Sequence, residues 1–315
     1  MKHVKIANLP TQINKLNNLS KKYGKNIYIK RDDMTGTEIS GNKIRKLEYI
    51  LAKALDEGID TLITAGGIQS NHARATAAVC AMYGLNCELV LRGKRPSEVE
   101  GNFWLDHIFG AKIHLLDAED SREEYMEKLA TKLQINGKKA MVIPVGASNS
   151  TGSLGYENAF YEIQKQEKEL GIYFDVIVVS VGSGGTYAGL LAGALKTDSN
   201  IRIQGYAVDN DTETFEKEVK NILSEMKIEK IRNININDSY KGVGYALSQN
   251  KELSFYKEIA KTEGIILDPC YTGKAFYGMI NELDKELKDY NNILFIHTGG
   301  LFGWTKEDRE KIINL

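Results

Sequence analysis

Apolar residues along this chain occur in two alternating rhythms. The first is a set of short continuous runs: DTLITAG (60–66), NCELVLRG (86–93), AKIHLLD (111–117), AMVIPVG (140–146), FDVIVVSVG (174–182), RIQGYAVD (202–209) and NILFIHTGG (292–300). They are rich in Val, Ile and Leu, and most stop at Gly or Asp, as buried parallel strands do. The second is helical spacing. NKIRKLEYILAKALDEG puts Ile44, Leu47, Ile50, Leu51 and Leu55 on one stripe and ends at Gly58. SREEYMEKLATKLQINGKK opens with acidic residues and closes with basic ones, matching a helix dipole. DSNIRIQG and IEKIRNININDSYKGVG read as irregular connections. Strand–helix alternation predicts an α/β fold with helices on both faces of parallel sheets. In such folds ligands sit at the carboxyl ends of strands.

Three strand ends carry candidate chemistry. After ITAGG, Ser70 and Asn71 stand at a helix start, followed by the small-residue run ARATAAVCAMYG. The N–H groups there suit an anion such as a carboxylate, and plain N-capping by Ser70 suits them as well. His72 is placed either to touch a substrate or to lie on a solvated helix face. After VIVVSV comes GSGGT, residues 182–186, then another small-residue helix. Converging backbone N–H groups and hydroxyls at Ser183, Gly184, Gly185 and Thr186 make a phosphate cup. The segment lacks the Lys of a P-loop and the spacing of a dinucleotide fingerprint. After EGIILDP, Tyr271 and Thr272 precede Gly273 and a further helix, either lining a pocket or packing at a helix start.

The totals narrow the function classes. Forty-one basic and 42 acidic residues leave a net charge of -1 in 315 residues. That balance offers no attraction to nucleic acid or an anionic membrane. No apolar run reaches the roughly 18 residues of a membrane span, and the N-terminus MKHVKIANLP has no secretory h-region. Cys80, Cys87 and Cys270 form an odd set without metal spacing, which fits a reducing cytoplasm. His297 reads as a core histidine. His3, His107 and His114 have no chemical company, so no metal site is expected.

A phosphate cup, an anion-binding turn and a lysine beside a glycine, in SGNKIRKLEY (40–49), suit one cofactor. Pyridoxal phosphate requires a lysine to bind its aldehyde, a cup for its phosphate, a wall for its ring and a partner for its ring nitrogen. With IYIKRDDMTG, SGNKIRKLEY, GGIQSNHAR, GSGGTYAGL and LDPCYTGKA in this order, the chain resembles the pyridoxal-phosphate enzymes of tryptophan-synthase-β-like fold (fold type II). Within them it resembles the branch of 1-aminocyclopropane-1-carboxylate (ACC) deaminase and D-cysteine desulfhydrase.

The resemblance implies roles. Lys43 binds the cofactor aldehyde and moves the substrate α-proton. Lys46 reaches the phosphate, which Ser183, Gly184, Gly185 and Thr186 hold. Asn71 meets the ring 3-hydroxyl. Ser70, with Asn71 and His72, fixes the substrate carboxylate. Tyr245 and Tyr271 are active-site tyrosines, and Thr272 faces the ring nitrogen. Arg45 is left as surface charge or a salt-bridge partner. The deaminases resembled carry Glu and Leu where this chain has Thr272 and Thr298; the desulfhydrases carry hydroxyl residues. Thr at both positions points to α,β-elimination from a small D-amino acid, D-cysteine first. ACC deamination, and elimination from D-serine or β-chloro-D-alanine, are the alternatives. The resemblance also implies a small domain over 47–156, a large cofactor-binding domain over 1–46 plus 157–315, and a homodimer.

Overall fold

A computed structural model describes residues 2–315. Ten strands are present: β1 (Ile13–Lys15), β2 (Asn26–Lys30), β3 (Thr61–Gly67), β4 (Asn86–Arg92), β5 (Lys112–Leu116), β6 (Ala140–Val142), β7 (Val176–Val181), β8 (Arg202–Ala207), β9 (Asn235–Asn237) and β10 (Asn292–Ile296). The helices are α1 (Asn17–Tyr23), α2 (Lys43–Asp56), α3 (Asn71–Tyr83), α4 (Gly101–Ile108), α5 (Arg122–Ile135), α6 (Ser150–Leu170), α7 (Gly185–Lys196), α8 (Thr212–Glu225), α9 (Asn250–Glu263), α10 (Thr272–Asn281) and α11 (Lys306–Ile313).

The strands form two sheets, ordered β1-β2-β10-β7-β8-β9 and β5-β4-β3-β6. Every neighbouring pair is parallel except β1 with β2. Helices cover both faces, because continuous Val/Ile/Leu runs leave no face suited to water. On the larger sheet, Ile177 and Val179 face the core with Leu190 and Phe215, while Val176 and Val178 face the opposite core with Phe276. The smaller sheet has its own pair of cores, around Leu62 and Leu89 and around Ile63 and Val90.

All seven apolar runs contain strands, with local differences. The 140–146 run pairs only as far as Val142, then bends through Pro144 into a 3-10 turn at Val145–Ala147. DSNIRIQG becomes β8 from Arg202 onward, and the IEKIRN segment contributes edge strand β9. In β9 only Ile236 is buried, so no apolar run marked it. The expected domain boundaries at 47 and 156 fall inside α2 and α6, which pack against each other.

Helix α2 departs most from its pattern. Leu55, expected on the apolar stripe, is exposed, whereas Ile44 to Ala52 are buried on every side. Arg45 is buried rather than on the surface. Its Nε and Nη2 donate to the two oxygens of Asp32 at 2.8 Å each, and Nη1 donates to Glu162 at 2.9 Å. Lys30 donates to Glu162 at 2.6 Å, and the Tyr156 hydroxyl donates to Asp32 at 2.5 Å. Burial alone would raise the Asp32 pKa, but Arg45 and Lys30 hold it down at about 2. Two cations and two carboxylates thus balance within one buried network joining α2, β2 and α6.

Arg45→Met should leave both carboxylates short of a partner and cost about 3–5 kcal/mol. Urea unfolding tests this as a lower midpoint at unchanged slope; an unchanged midpoint would show that the network does not secure α2.

Candidate active site

The carboxyl ends of β3, β7, β8 and β10 open onto one cleft of about 960 Å³ between the two sheets. Lys43, Ser70, Asn71, His72, Ser183, Gly184, Thr186, Tyr245, Tyr271 and Thr298 all line it.

Lys43 is the first residue of α2. The chain reaches it through Gly41 at φ +110, where a Cβ would stand 2.8 Å from the Thr298 carbonyl oxygen. Glycine is required there on both counts. The Asn42 N–H donates to that same carbonyl at 3.1 Å. Asn42 stands at the N-cap but does not cap; its side-chain NH2 donates to Thr186 Oγ1 at 3.0 Å. Burial pushes the Lys43 pKa down to about 8, since a low-polarity setting disfavours the ammonium form.

Lys46 lies one turn further and does not line the cleft. Its Nζ donates to the Gly146 carbonyl at 2.8 Å and to Ser148 Oγ at 2.9 Å. Burial and the like charge of Lys43 hold its pKa well below the usual lysine range.

The phosphate cup is the N-terminus of α7. Its N-cap residue Gly184 supplies no side-chain cap; the Gly185 N–H goes to the Ser183 carbonyl at 2.9 Å and to Ser148 Oγ at 3.3 Å, and the N–H groups that follow are left for an outside acceptor. Gly185 lies behind the cleft wall: a Cβ there would come within 2.6 Å of Lys46 Nζ and 2.7 Å of Ser148 Oγ. Ser148 Oγ also shares a hydrogen bond with Ser183 Oγ at 2.8 Å. A bare glycine, a helix N-terminus, paired hydroxyls and a buried lysine amine, which an incoming anion would favour in its charged form, make a cradle that fits a phosphate dianion.

Ser70 both caps α3, accepting from the Ala73 N–H at 3.2 Å, and lines the cleft. His72 is buried rather than solvated. The Thr64 hydroxyl donates to the Ile143 carbonyl at 2.9 Å and so must accept from His72 Nε2 at 2.8 Å. His72 Nδ1 therefore carries the lone pair, and it has no partner. Burial, Lys43 and Lys46 push the His72 pKa well below its ordinary value, so the ring is neutral.

Tyr245 and Tyr271 share a hydrogen bond of 2.6 Å. A phenol of ordinary pKa, about 10, already keeps its proton near neutral pH, and the enclosed setting of Tyr271 pushes its pKa further up. The loop carrying Tyr245 is anchored by buried Lys274, whose three N–H bonds go to the carbonyls of Val208, Lys241 and Gly244 at 2.9, 2.7 and 2.6 Å.

Thr272 is the one predicted ring contact that the structure holds away from the cleft lining. Its hydroxyl donates to Asp268 at 2.6 Å and accepts from the Asp268 N–H at 2.8 Å. Asp268 also accepts from the N–H groups of Cys270, Tyr271 and Thr272 at 3.0, 2.9 and 2.8 Å, which fixes the start of α10. Thr298 does line the cleft, 3.4 Å from Ser180 Oγ. His297 is a satisfied core histidine, with Nε2 donating to the Ile266 carbonyl at 2.9 Å.

Sequence reasoning missed Asn42, Ser148, Asp268 and Lys274. Asp268 carries a sequence signal, an acidic residue just ahead of a helix start. Ser148 carried none, because its partners lie 35 and 102 positions away.

Two open parallel-sheet layers with a lysine and an uncapped helix start in one cleft define the class, an enzyme built around a phosphorylated cofactor. The family profile described as pyridoxal-phosphate dependent enzyme matches residues 4–299. The chain is 42% identical over 313 residues to the mitochondrial bifunctional D-cysteine desulfhydrase/1-aminocyclopropane-1-carboxylate deaminase of Arabidopsis thaliana, covering 95% of this chain and 78% of that one. It is 38% identical over 300 residues to D-cysteine desulfhydrase of Serratia proteamaculans, covering 92% and 91%. A crystal structure of an ACC deaminase homologue superposes with a TM-score of 0.91 at 39% identity, covering 99% of this chain and 96% of that one. The chain belongs to the pyridoxal-phosphate dependent enzyme family, and pyridoxal phosphate is its cofactor.

In cofactor-stripped protein, acylation of Lys43 by a small anhydride should rise with pH about a midpoint near 8. Peptide mass spectrometry across a pH series measures it; a midpoint near the ordinary 10.5 would contradict the burial argument.

Proposed function

We propose that the enzyme catalyses α,β-elimination from a small D-amino acid, with D-cysteine the foremost substrate, giving pyruvate, hydrogen sulfide and ammonia. The observation that carries this reading is the hydroxyl-lined end of the cleft at Ser180, Thr298 and Asp268, where the one carboxylate is fully engaged. Asp268 lies at that end, but three N–H groups and a threonine hydroxyl occupy its carboxylate. Thr298 and Ser180 add hydroxyls alone. Such an end offers no strong acid or free carboxylate to the cofactor ring nitrogen.

Pyridoxal phosphate, when bound, supplies an electron sink for the bond broken at the substrate α-carbon. In our assignment Lys43 holds its aldehyde. Ser183, Gly184, Gly185 and Thr186 hold its phosphate, with Lys46 behind them. Asn71 meets the ring oxygen. We assign Thr272 to the ring-nitrogen end through its bond to Asp268, with Thr298 presenting the nearer hydroxyl.

The chain's own residues then divide the work. Ser70 and Asn71 receive the substrate carboxylate at the start of α3; neutral His72 lines the same end, but its one N–H is given to Thr64, so it shapes the pocket rather than donating to the carboxylate. Lys43, with a pKa of about 8, has far more free amine near neutral pH than an ordinary lysine and takes the α-proton. Tyr245 and Tyr271 hold two phenol protons, of which their mutual bond uses one. The other is free to go to the departing sulfur. The released 2-aminoacrylate hydrolyses in water to pyruvate and ammonia. ACC offers no α-hydrogen to Lys43, and its ring opening asks more of the electron sink, so a ring-nitrogen end without a free carboxylate favours elimination. We further propose that residues 47–156 form a small domain and residues 1–46 plus 157–315 a large cofactor-binding one, and that the enzyme is a homodimer, as the family resemblance implies; the three unpaired cysteines suit a cytoplasmic setting.

Purified enzyme should release sulfide and pyruvate from D-cysteine faster than 2-oxobutanoate from ACC, with little turnover of L-cysteine. Faster production of 2-oxobutanoate would replace this reading with ACC deamination.

A further inference from the structure

Asn102, on α4, lies outside the cleft and is fully buried. Its Nδ2 donates to the Gln69 carbonyl at 2.9 Å and to Asn71 Oδ1 at 3.0 Å. Its backbone N–H donates to Gln69 Oε1 at 2.8 Å, and Gln69 Nε2 donates to the Glu100 carbonyl at 3.2 Å.

These contacts leave one consistent arrangement of the three amides. A backbone carbonyl only accepts, so the Asn102 group facing Gln69 is the NH2. The same NH2 faces Asn71, so Asn71 turns its carbonyl oxygen toward Asn102. A backbone N–H only donates, so Gln69 presents its oxygen to it. The Asn71 NH2 is left pointing away from Asn102, on a residue that lines the cleft. An amide free to rotate would offer either a donor or an acceptor there; this one offers a donor.

We propose that Asn102 is a positioning residue that locks the Asn71 amide as a hydrogen-bond donor toward an anionic oxygen in the cleft. It acts through Asn71 and touches no reacting atom. The proposal rests on the assignment of Asn71 to the cofactor ring oxygen. A donor at that oxygen stabilises its anionic form, so the lock sets both cofactor affinity and the protonation equilibrium of the bound chromophore.

Asn102→Asp inverts the lock. A carboxylate only accepts, so it repels both the Gln69 carbonyl and Asn71 Oδ1 and favours the flipped amide. In holoenzyme this should move the pH midpoint of the cofactor absorbance by about one unit, tenfold in the equilibrium. It should also weaken pyridoxal phosphate binding about tenfold. Asn102→Ala, which frees the amide without inverting it, should move both readouts the same way by less, and it serves as the test if the Asp variant does not fold. In an Asn71→Ala background neither Asn102 change should add anything further.

A shift of equal size in the Asn71→Ala background would overturn the proposal, showing that Asn102 is merely structural. Unchanged spectra in the folded Asn102 variants would overturn it too. If Asn71→Ala itself leaves the spectrum unmoved, both the ring-oxygen assignment and the proposal fail. All these readouts need no turnover, so they stand apart from the substrate assay.

Discussion

Three basic residues fall within four positions at the start of α2, Arg45 and Lys46 buried and Lys43 at the cleft wall, and the rest of the active site depends on how each is accommodated. A buried charge must be paired, hydrogen-bonded or neutralised. Arg45 is paired, held by Asp32 and Glu162. Lys46 is hydrogen-bonded, with a carbonyl and a hydroxyl receiving its Nζ behind the phosphate cup. Lys43 has neither support; burial lowers the pKa of both lysines, and of the two only Lys43 lines the cleft. One helical turn thus contains an anchor, a hydrogen-bonded lysine beneath the cup and a reactive amine. Their separation follows from the elements each side chain meets.

The same turn joins the two sheets. Arg45 ties α2 to β2 and α6 of the larger sheet, while Lys46 reaches Gly146 and Ser148, which follow the last strand of the smaller one. Asn42 crosses to Thr186 at the start of α7. The cup is therefore assembled from both sheets. On the far side, Asp268 gathers the N–H groups that precede α10 and turns Tyr271 into the cleft. Lys274 then fixes the loop that brings Tyr245 within hydrogen-bonding distance of it.

What the sequence disclosed follows from how local each feature is. Continuous Val/Ile/Leu runs announced seven strands because burial on both faces needs no distant information. Edge strand β9, with Ile236 as its one buried residue, left no such trace. The Gly-rich cup and the Ser70–Asn71 turn were legible because close backbone approach and capping restrict residue type locally. Leu55 was misplaced because a stripe assumes a single packing face, and α2 has neighbours on several sides over its first turns. Arg45, left open between surface charge and ion pair, was settled by Glu162, 117 positions away. The engagement of Thr272 by Asp268 was close at hand in sequence, yet it depends on the chain reversing at Pro269.

The central claim is that Lys43, and not its buried neighbour Lys46, carries the cofactor. Borohydride reduction of the holoenzyme fixes pyridoxal phosphate to the amine that holds it, and peptide mass spectrometry then locates the added group. The account predicts the label on Lys43, with Lys46 unmodified. A label on Lys46, or on any other lysine, would contradict it.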